Sequence, residues 1–322
     1  MPRVGFAYHP LFLEHDTGPF HPESPERLTA IVNRLRGTGL IDKTWPIEPD
    51  PADLSWIETV HDPSYVRSVR ETCPAEGIAH LDPDTVVSPK SFDAARLAAG
   101  AVLAAVDAVM EGRVQRAFCA VRPPGHHALP GRAMGFCLFN NVAIGARYAK
   151  RKHGLARVLI VDFDVHHGNG TQAAFYDDPS VLFFSTHQFP HYPGTGRAEE
   201  RGAGEGMGFT INAPLPPGAR GEDILRAFDS LLAPAVESFR PEIVLVSAGF
   251  DGHIDDPLAR FELTEEDYLE IARRIVDVAE KHANGRVVSV LEGGYNLSAL
   301  ARSVEAHIRG LMENRFGVRS LE

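Results

Sequence analysis

Apolar residues gather along this chain in two patterns. Short runs, Ala117-Phe118-Cys119-Ala120-Val121, Val158-Leu159-Ile160-Val161, Val244-Leu245-Val246 and Val287-Val288-Ser289-Val290-Leu291, are too brief for helices and carry many branched side chains. Such runs read as strands buried on both faces, as in a parallel sheet. Longer stretches carry helical patterns, near 24–37, 91–112, 140–153, 221–239, 264–283 and 296–314. One of these opens on Thr264-Glu265-Glu266-Asp267, a capping hydroxyl followed by acids where the helix dipole favours negative charge. The alanine-rich run from Ala94 to Ala108 reads as a closely packed helix. Strands alternating with helices predict βαβ units and an α/β fold. There is no internal repeat or long linker, and the Pro- and Gly-rich segments at 189–208 and 214–221 predict loops. A length of 322 residues, 44% hydrophobic, fits a single domain over 1–322.

Each strand runs straight into polar residues. The richest case is Asp162-Phe163-Asp164-Val165-His166-His167-Gly168-Asn169-Gly170 after Val161. Strand alternation predicts that Asp162, Asp164 and His166 share one face while His167 turns away at the strand's end. Aspartate oxygens and imidazole nitrogens are ordinary zinc donors, and unpaired carboxylates at a buried strand tip are costly. Asp, Asn and Gly also mark simple strand-to-helix turns, but four possible ligands within five residues favour a site. Arg122-Pro123-Pro124-Gly125-His126-His127 follows the Ala117 strand, its prolines stiffening the turn that projects both imidazoles. Ser247-Ala248-Gly249-Phe250-Asp251 and Glu292-Gly293-Gly294-Tyr295 close the other two strands, the glycines allowing close approach and setting the Tyr295 hydroxyl at a rim. All four sets lie at the carboxyl ends of strands, which in an open parallel sheet form one crevice.

Charge and cysteine content narrow the chemistry. A formal net charge of −11 opposes sequence-blind nucleic-acid binding; it suits cationic substrates, though its simplest effect is solubility. Cys73, Cys119 and Cys137 are odd in number and scattered, so neither a disulfide framework nor a cysteine zinc site is expected. Any metal must then be held by Asp and His. No stretch is long and apolar enough to span a membrane, and Met1-Pro2-Arg3-Val4-Gly5-Phe6 lacks a signal-peptide pattern, so a cytoplasmic location is expected.

Taken in order, these motifs resemble the zinc-dependent histone deacetylase superfamily, which also holds acetylpolyamine amidohydrolases and acetoin-utilisation proteins. The resemblance runs from His21-Pro22-Glu23-Ser24-Pro25-Glu26-Arg27-Leu28 through Gly135-Phe136-Cys137, Phe184-Ser185-Thr186-His187 and Pro193-Gly194-Thr195-Gly196 to Tyr295, nearly the whole chain. Glu292 before Gly-Gly-Tyr, and Asn169 where another branch has Asp, are similar to the class II branch and its bacterial relatives. The resemblance implies an arginase/deacetylase-like three-layer fold with a central, mainly parallel eight-stranded sheet and helices on both faces. It implies removal of acetyl groups from N-acetylated amines.

Carried over residue by residue, the resemblance makes Asp164, His166 and Asp251 ligands of one Zn2+, leaving room for water and substrate. It makes His127 the general base and His126 an electrostatic partner oriented by Asp162, with Asn169 behind His127. Tyr295 becomes a donor to the oxyanion. K+ is implied beneath the zinc, held by backbone carbonyls of Asp162, Asp164, His166 and Thr186 with the side chains of Asp164 and Ser185. A second K+ would use carbonyls near Phe175, Asp178 and Val181. Phe136 and Tyr192 become tunnel walls, Gly135 allows close approach at the base, and Arg27 lines an internal cavity below the zinc.

Leu258 stands where polyamine-selective relatives in one branch carry a glutamate, which favours acetyl-lysine of a protein or peptide over an acetylpolyamine as substrate. Two other classes stay open: a two-manganese ureohydrolase, against which Gly249 and Asn169 offer no carboxylate, and a silent acetyl-lysine binder. No direct nucleic-acid or membrane partner is expected, and a homo-oligomer is left open.

Overall fold

Strands buried on both faces can only be satisfied by a sheet covered on both sides, and the computed structural model, which describes residues 3–313, has that arrangement for the central strands. In chain order the elements are β1 (Val4–Ala7), α1 (Glu26–Gly37), β2 (Trp45–Ile47), α2 (Leu54–Ile57), α3 (Pro63–Thr72), β3 (Ala79–His80), β4 (Val86–Val87), α4 (Ser91–Met110), β5 (Arg116–Cys119) and α5 (Asn141–His153). Then come β6 (Val158–Asp162), α6 (Asn169–Phe175), β7 (Val181–Gln188), β8 (Thr210–Leu215), α7 (Gly221–Ala227), α8 (Ala233–Phe239), β9 (Ile243–Ala248), α9 (Glu265–His282), β10 (Val287–Leu291) and α10 (Leu297–Leu311).

The main sheet has the order β2-β1-β5-β10-β9-β6-β7-β8, and every pairing in it is parallel. β3 and β4 form a separate antiparallel ribbon. Helices α4 and α5 pack together, as do α1, α10 and α9; β9 and β10 touch both groups, which places them on opposite faces. The four strands whose ends carry the polar clusters, β5, β10, β9 and β6, are neighbours at the centre of the sheet. Their carboxyl ends therefore open on one crevice, in the position that doubly wound sheets use for ligands.

The helix ends follow the local chemistry. Asn140 caps α5 by accepting the Ala143 N–H at 3.0 Å, and Gly154 ends it in the left-handed region at φ 68. Thr264 and Asp267 form the reciprocal capping box of α9. The helix expected over 221–239 is interrupted by a π-helical turn, Phe228–Leu232, just before Pro234, whose missing N–H and ring disturb the α-helical ladder. The expected helix at 24–37 begins at Glu26; the last residue of the one expected over 296–314 lies outside the described residues. Among the described residues, no helix is long and apolar enough to cross a membrane.

Candidate active site

β6 ends at Asp162, so the strand alternation expected to carry on through His166 stops there. Residues 163–168 bend instead, and Asp162 turns to His126 rather than joining Asp164 and His166. The bend still brings ligands together. His166 Nδ1 lies 3.1 Å from Asp164 Oδ1 and 3.0 Å from Asp251 Oδ2, and one donor atom from each of the three residues falls within 4.8 Å of the others. Backbone N–H groups fix both carboxylates, Gly293 donating to Asp164 at 2.9 Å and Val165 to Asp251 at 3.1 Å. A Cβ on Gly249 would overlap the Asp164 carboxylate, and one on Gly293 that of Asp251. Two buried carboxylates and one imidazole, with no lysine or arginine paired to them among the described residues, form a donor set that would suit one divalent ion such as zinc. His167 points elsewhere, to Thr195 Oγ1 at 2.8 Å and Gln172 Oε1 at 3.0 Å.

The two histidines of the β5 loop differ in their partners. His126 Nδ1 meets Asp162 Oδ2 at 3.0 Å, while His127 Nδ1 meets Asn169 Oδ1 at 2.7 Å. Burial works against charge on His126, but the carboxylates of Asp162, Asp164 and Glu292 raise its pKa to about 10. Burial and the neighbouring His126 hold His127 well below the usual imidazole range. The His127 ring centroid lies 6.0 Å from that of His166. Glu292 is fully buried and clasps this turn: Oε2 accepts the N–H of Gly125 at 2.7 Å and of His126 at 3.1 Å, while Ser247 donates to Oε1 at 3.1 Å.

Tyr295 is half-buried. Burial raises its pKa well above the usual phenol range, and the Asp251 carboxylate adds to this. The Arg27 guanidinium sits 5.1 Å from the centre of the Tyr295 ring and donates to the Gly294 carbonyl at 2.7 Å. Arg27 is wholly buried, paired with Glu23 at 2.9 Å. Glu23 is also bound by Arg122, and although burial opposes its charge the two guanidiniums hold its carboxyl well below the usual range.

Phe136 packs edge-on to Tyr295 at 5.8 Å and to His21 at 4.8 Å. Gly135 precedes it at φ 58, and a Cβ there would overlap the His127 ring, so glycine is required by space as well as by backbone. Tyr192 packs edge-on to His127 at 5.2 Å and remains 37% exposed. Leu258 is half-buried, and its carbonyl lies 3.1 Å from His191 Nε2; the His191 ring in turn stacks on His166 at 5.0 Å.

The residues named for potassium fall in two places, the β6–β7 strand ends and the turn between α6 and β7. The register of β6 and β7 sets Asp162 beside Ser185, whose Oγ lies 2.9 Å from His187 Nδ1, and Thr186 follows in the same strand. In the turn, the Phe175 carbonyl accepts the Asp178 N–H at 3.1 Å and the Asp178 carbonyl that of Val181 at 3.4 Å, while the Asp178 side chain pairs with Arg147 at 2.6 Å.

The histone deacetylase domain, as a sequence family, matches residues 21–311, an interval that contains every residue of this crevice. The chain belongs to the histone deacetylase family. It is 44% identical to a probable deacetylase of Archaeoglobus fulgidus over 91% of this chain and 82% of that one. It is 39% identical to the histone deacetylase-like amidohydrolase of Pseudomonas aeruginosa, again over 91% and 82%. The human polyamine deacetylase HDAC10 is 44% identical over 90% of this chain but only 44% of its own length. Among solved structures, the HD domain of HDA15 superposes with a TM-score of 0.92 at 36% identity, covering 96% of this chain and 88% of that one. The histone deacetylase-family chain is thus a hydrolytic deacetylase on the expected arginase/deacetylase-like sheet, and zinc dependence is expected of its family.

Two buried carboxylates accept backbone N–H groups of distant segments, Glu292 as above and Asp256 from Tyr295 at 2.7 Å and Asn296 at 3.2 Å. Glu292 shares the signal that marks Asp162 and Asp251, a carboxylate directly after a buried strand, yet its sequence neighbours say nothing of the Gly125–His126 turn. Asp256 is signalled only by Asp255-Asp256-Pro257, which reads as an ordinary loop.

Proposed function

We propose that this histone deacetylase-family chain is a zinc-dependent amidohydrolase, acting as one domain, that removes acetyl groups from lysine side chains of proteins or peptides. The observation that carries the reading is the convergence of Asp164, His166 and Asp251 beside the His127 ring. Those three residues would hold the zinc, which when bound polarises the amide carbonyl and lowers the pKa of a water. With Nδ1 engaged by the Asn169 amide oxygen, His127 carries its hydrogen there and offers Nε2 as the base. It takes the proton of the attacking water and returns it to the leaving amine. His126, kept charged by Asp162, supplies positive potential without moving a proton. Tyr295 donates its hydroxyl to the oxyanion of the tetrahedral intermediate. Gly135, Phe136 and Tyr192 admit a slim aliphatic chain. Arg27 holds the Tyr295 loop through Gly294 and borders the space beneath. The residues around Asp162 and Ser185, and those of the Phe175–Val181 turn, are proposed to hold K+ as structural ions.

Leu258 supports acetyl-lysine as the first substrate, since an apolar rim gives a second ammonium no partner. The 44% identity to a polyamine deacetylase supports acetylpolyamines as the second reading. A panel of acetyl-lysine peptides, acetylputrescine and acetylspermidine assayed on one preparation separates them by kcat/KM. A higher value for acetylspermidine would reverse the ranking, and no turnover of any acetylated amine would overturn the activity.

A further inference from the structure

Asp256 is 7% exposed, and no lysine or arginine pairs with it among the described residues. Its carboxylate is taken up by three backbone donors from two loops. Oδ2 accepts the N–H of Tyr295 at 2.7 Å and of Asn296 at 3.2 Å, while Oδ1 accepts that of Leu258 at 3.0 Å. Asn296 adds a return bond, its side chain donating to the Asp255 carbonyl at 3.1 Å, and it also caps α10. A buried carboxylate without a cation is expensive, and donors of this kind offset the cost only when they are held in place.

The Tyr295 backbone needs such a hold. Gly293 and Gly294 precede it, with Gly294 at φ 123, so the local chain does not fix its own direction. Arg27 grips the carbonyls of Glu292 and Gly294, and Asp164 takes the Gly293 N–H. Asp256 provides the corresponding hold on Tyr295 itself.

We propose that Asp256 is the positioning residue for Tyr295, clamping the tyrosine's backbone and the Leu258 rim to a single carboxylate so that oxyanion donor and substrate mouth keep a fixed relation. This rests on the reading of Tyr295 as the oxyanion donor. Asp256 touches neither substrate nor metal in this scheme; it acts through the placement of a hydroxyl, where a displacement of about 1 Å can cost on the order of 100-fold in rate.

The test is a double-mutant cycle on the full chain with an acetyl-lysine peptide, comparing wild type, Asp256→Asn, Tyr295→Phe and the double variant, with zinc content measured for each. Asparagine keeps the shape but replaces one acceptor with a donor. Asp256→Asn is expected to lower kcat about 10- to 100-fold with KM and zinc content nearly unchanged. The double variant is expected to match Tyr295→Phe within about twofold, because a residue acting through a hydroxyl has nothing left to position once it is gone. Losses that multiply, or an Asp256→Asn enzyme with wild-type kcat, would overturn the clamp while leaving Tyr295 in its role. A Tyr295→Phe enzyme with wild-type kcat would remove the oxyanion donor and the clamp together. Should Asp256→Asn not fold, Asp256→Ser, which retains one acceptor, takes its place with the same expectations.

Discussion

The amide oxygen of Asn169 lies 2.7 Å from His127 Nδ1, so this histidine, its ring 6.0 Å from that of His166, is backed by a neutral group. Its neighbour His126 is backed by the carboxylate of Asp162. This asymmetry separates a neutral imidazole able to take a proton from a charged one that holds it. Asn169→Asp should place a charge behind His127 and raise its pKa. A base works only when deprotonated, so the acid limb of the kcat/KM profile should move to higher pH. A limb at the same pH in both enzymes would mean that His127 is not the base.

Removing the imidazoles one at a time makes the same division in rate. His127→Ala should cost about 10²- to 10⁴-fold, the usual worth of general-base assistance, with the metal retained. His126→Ala should cost less, since a fixed charge is lost but the proton path remains. The opposite ranking would exchange their roles.

Substrate choice should turn on the rim. Leu258→Glu introduces a carboxylate beside the His191 contact and should raise the kcat/KM ratio of acetylspermidine to acetyl-lysine peptide. An exposed ion pair contributes only about 0–1 kcal/mol, so the change should stay near fivefold or less and should weaken with added salt. An unchanged ratio would place the selection elsewhere.

Away from the crevice, buried histidines should make folding sensitive to mild acid. His61 accepts the Asn140 N–H at Nε2, 2.8 Å away, and faces the Leu129 carbonyl at Nδ1, 3.0 Å away, so only its neutral form fits both partners. Burial lowers its pKa to about 4. Between that value and about 6.5 the unfolded chain binds the extra proton, so stability is full above pH 6.5 and falls as pH drops toward 4. Denaturation at pH 7 and pH 5 should show wild type losing about 1–2 kcal/mol more than His61→Gln, which has no proton to gain. Equal losses would show that His61 does not titrate in this window.

These sites differ in how far the sequence alone discloses them. β5, β6, β9 and β10 are visible because their apolar runs end abruptly in Asp, His, Glu or Pro, and that contrast also marks the crevice. β7 hides its second half, since Ser185, Thr186, His187 and Gln188 read as polar although all are buried. β2 contains Pro46 and an exposed Trp45, and β1 is four residues with a glycine, so neither announces a strand. Asn169-Gly170 reads as a turn but opens α6. In the site, side chains that act directly sit in clusters and are legible. Asp256, Glu292 and Arg27 act on backbone groups far away in sequence, and only the packing of the loops reveals what they hold.

Metal content measured alongside turnover tests the central claim most directly. Purified protein should contain one zinc per chain; chelation should abolish hydrolysis of an acetyl-lysine peptide, and zinc added back should restore it. Asp251→Ala should lose both metal and turnover. Full turnover by protein shown to contain no metal would contradict the account.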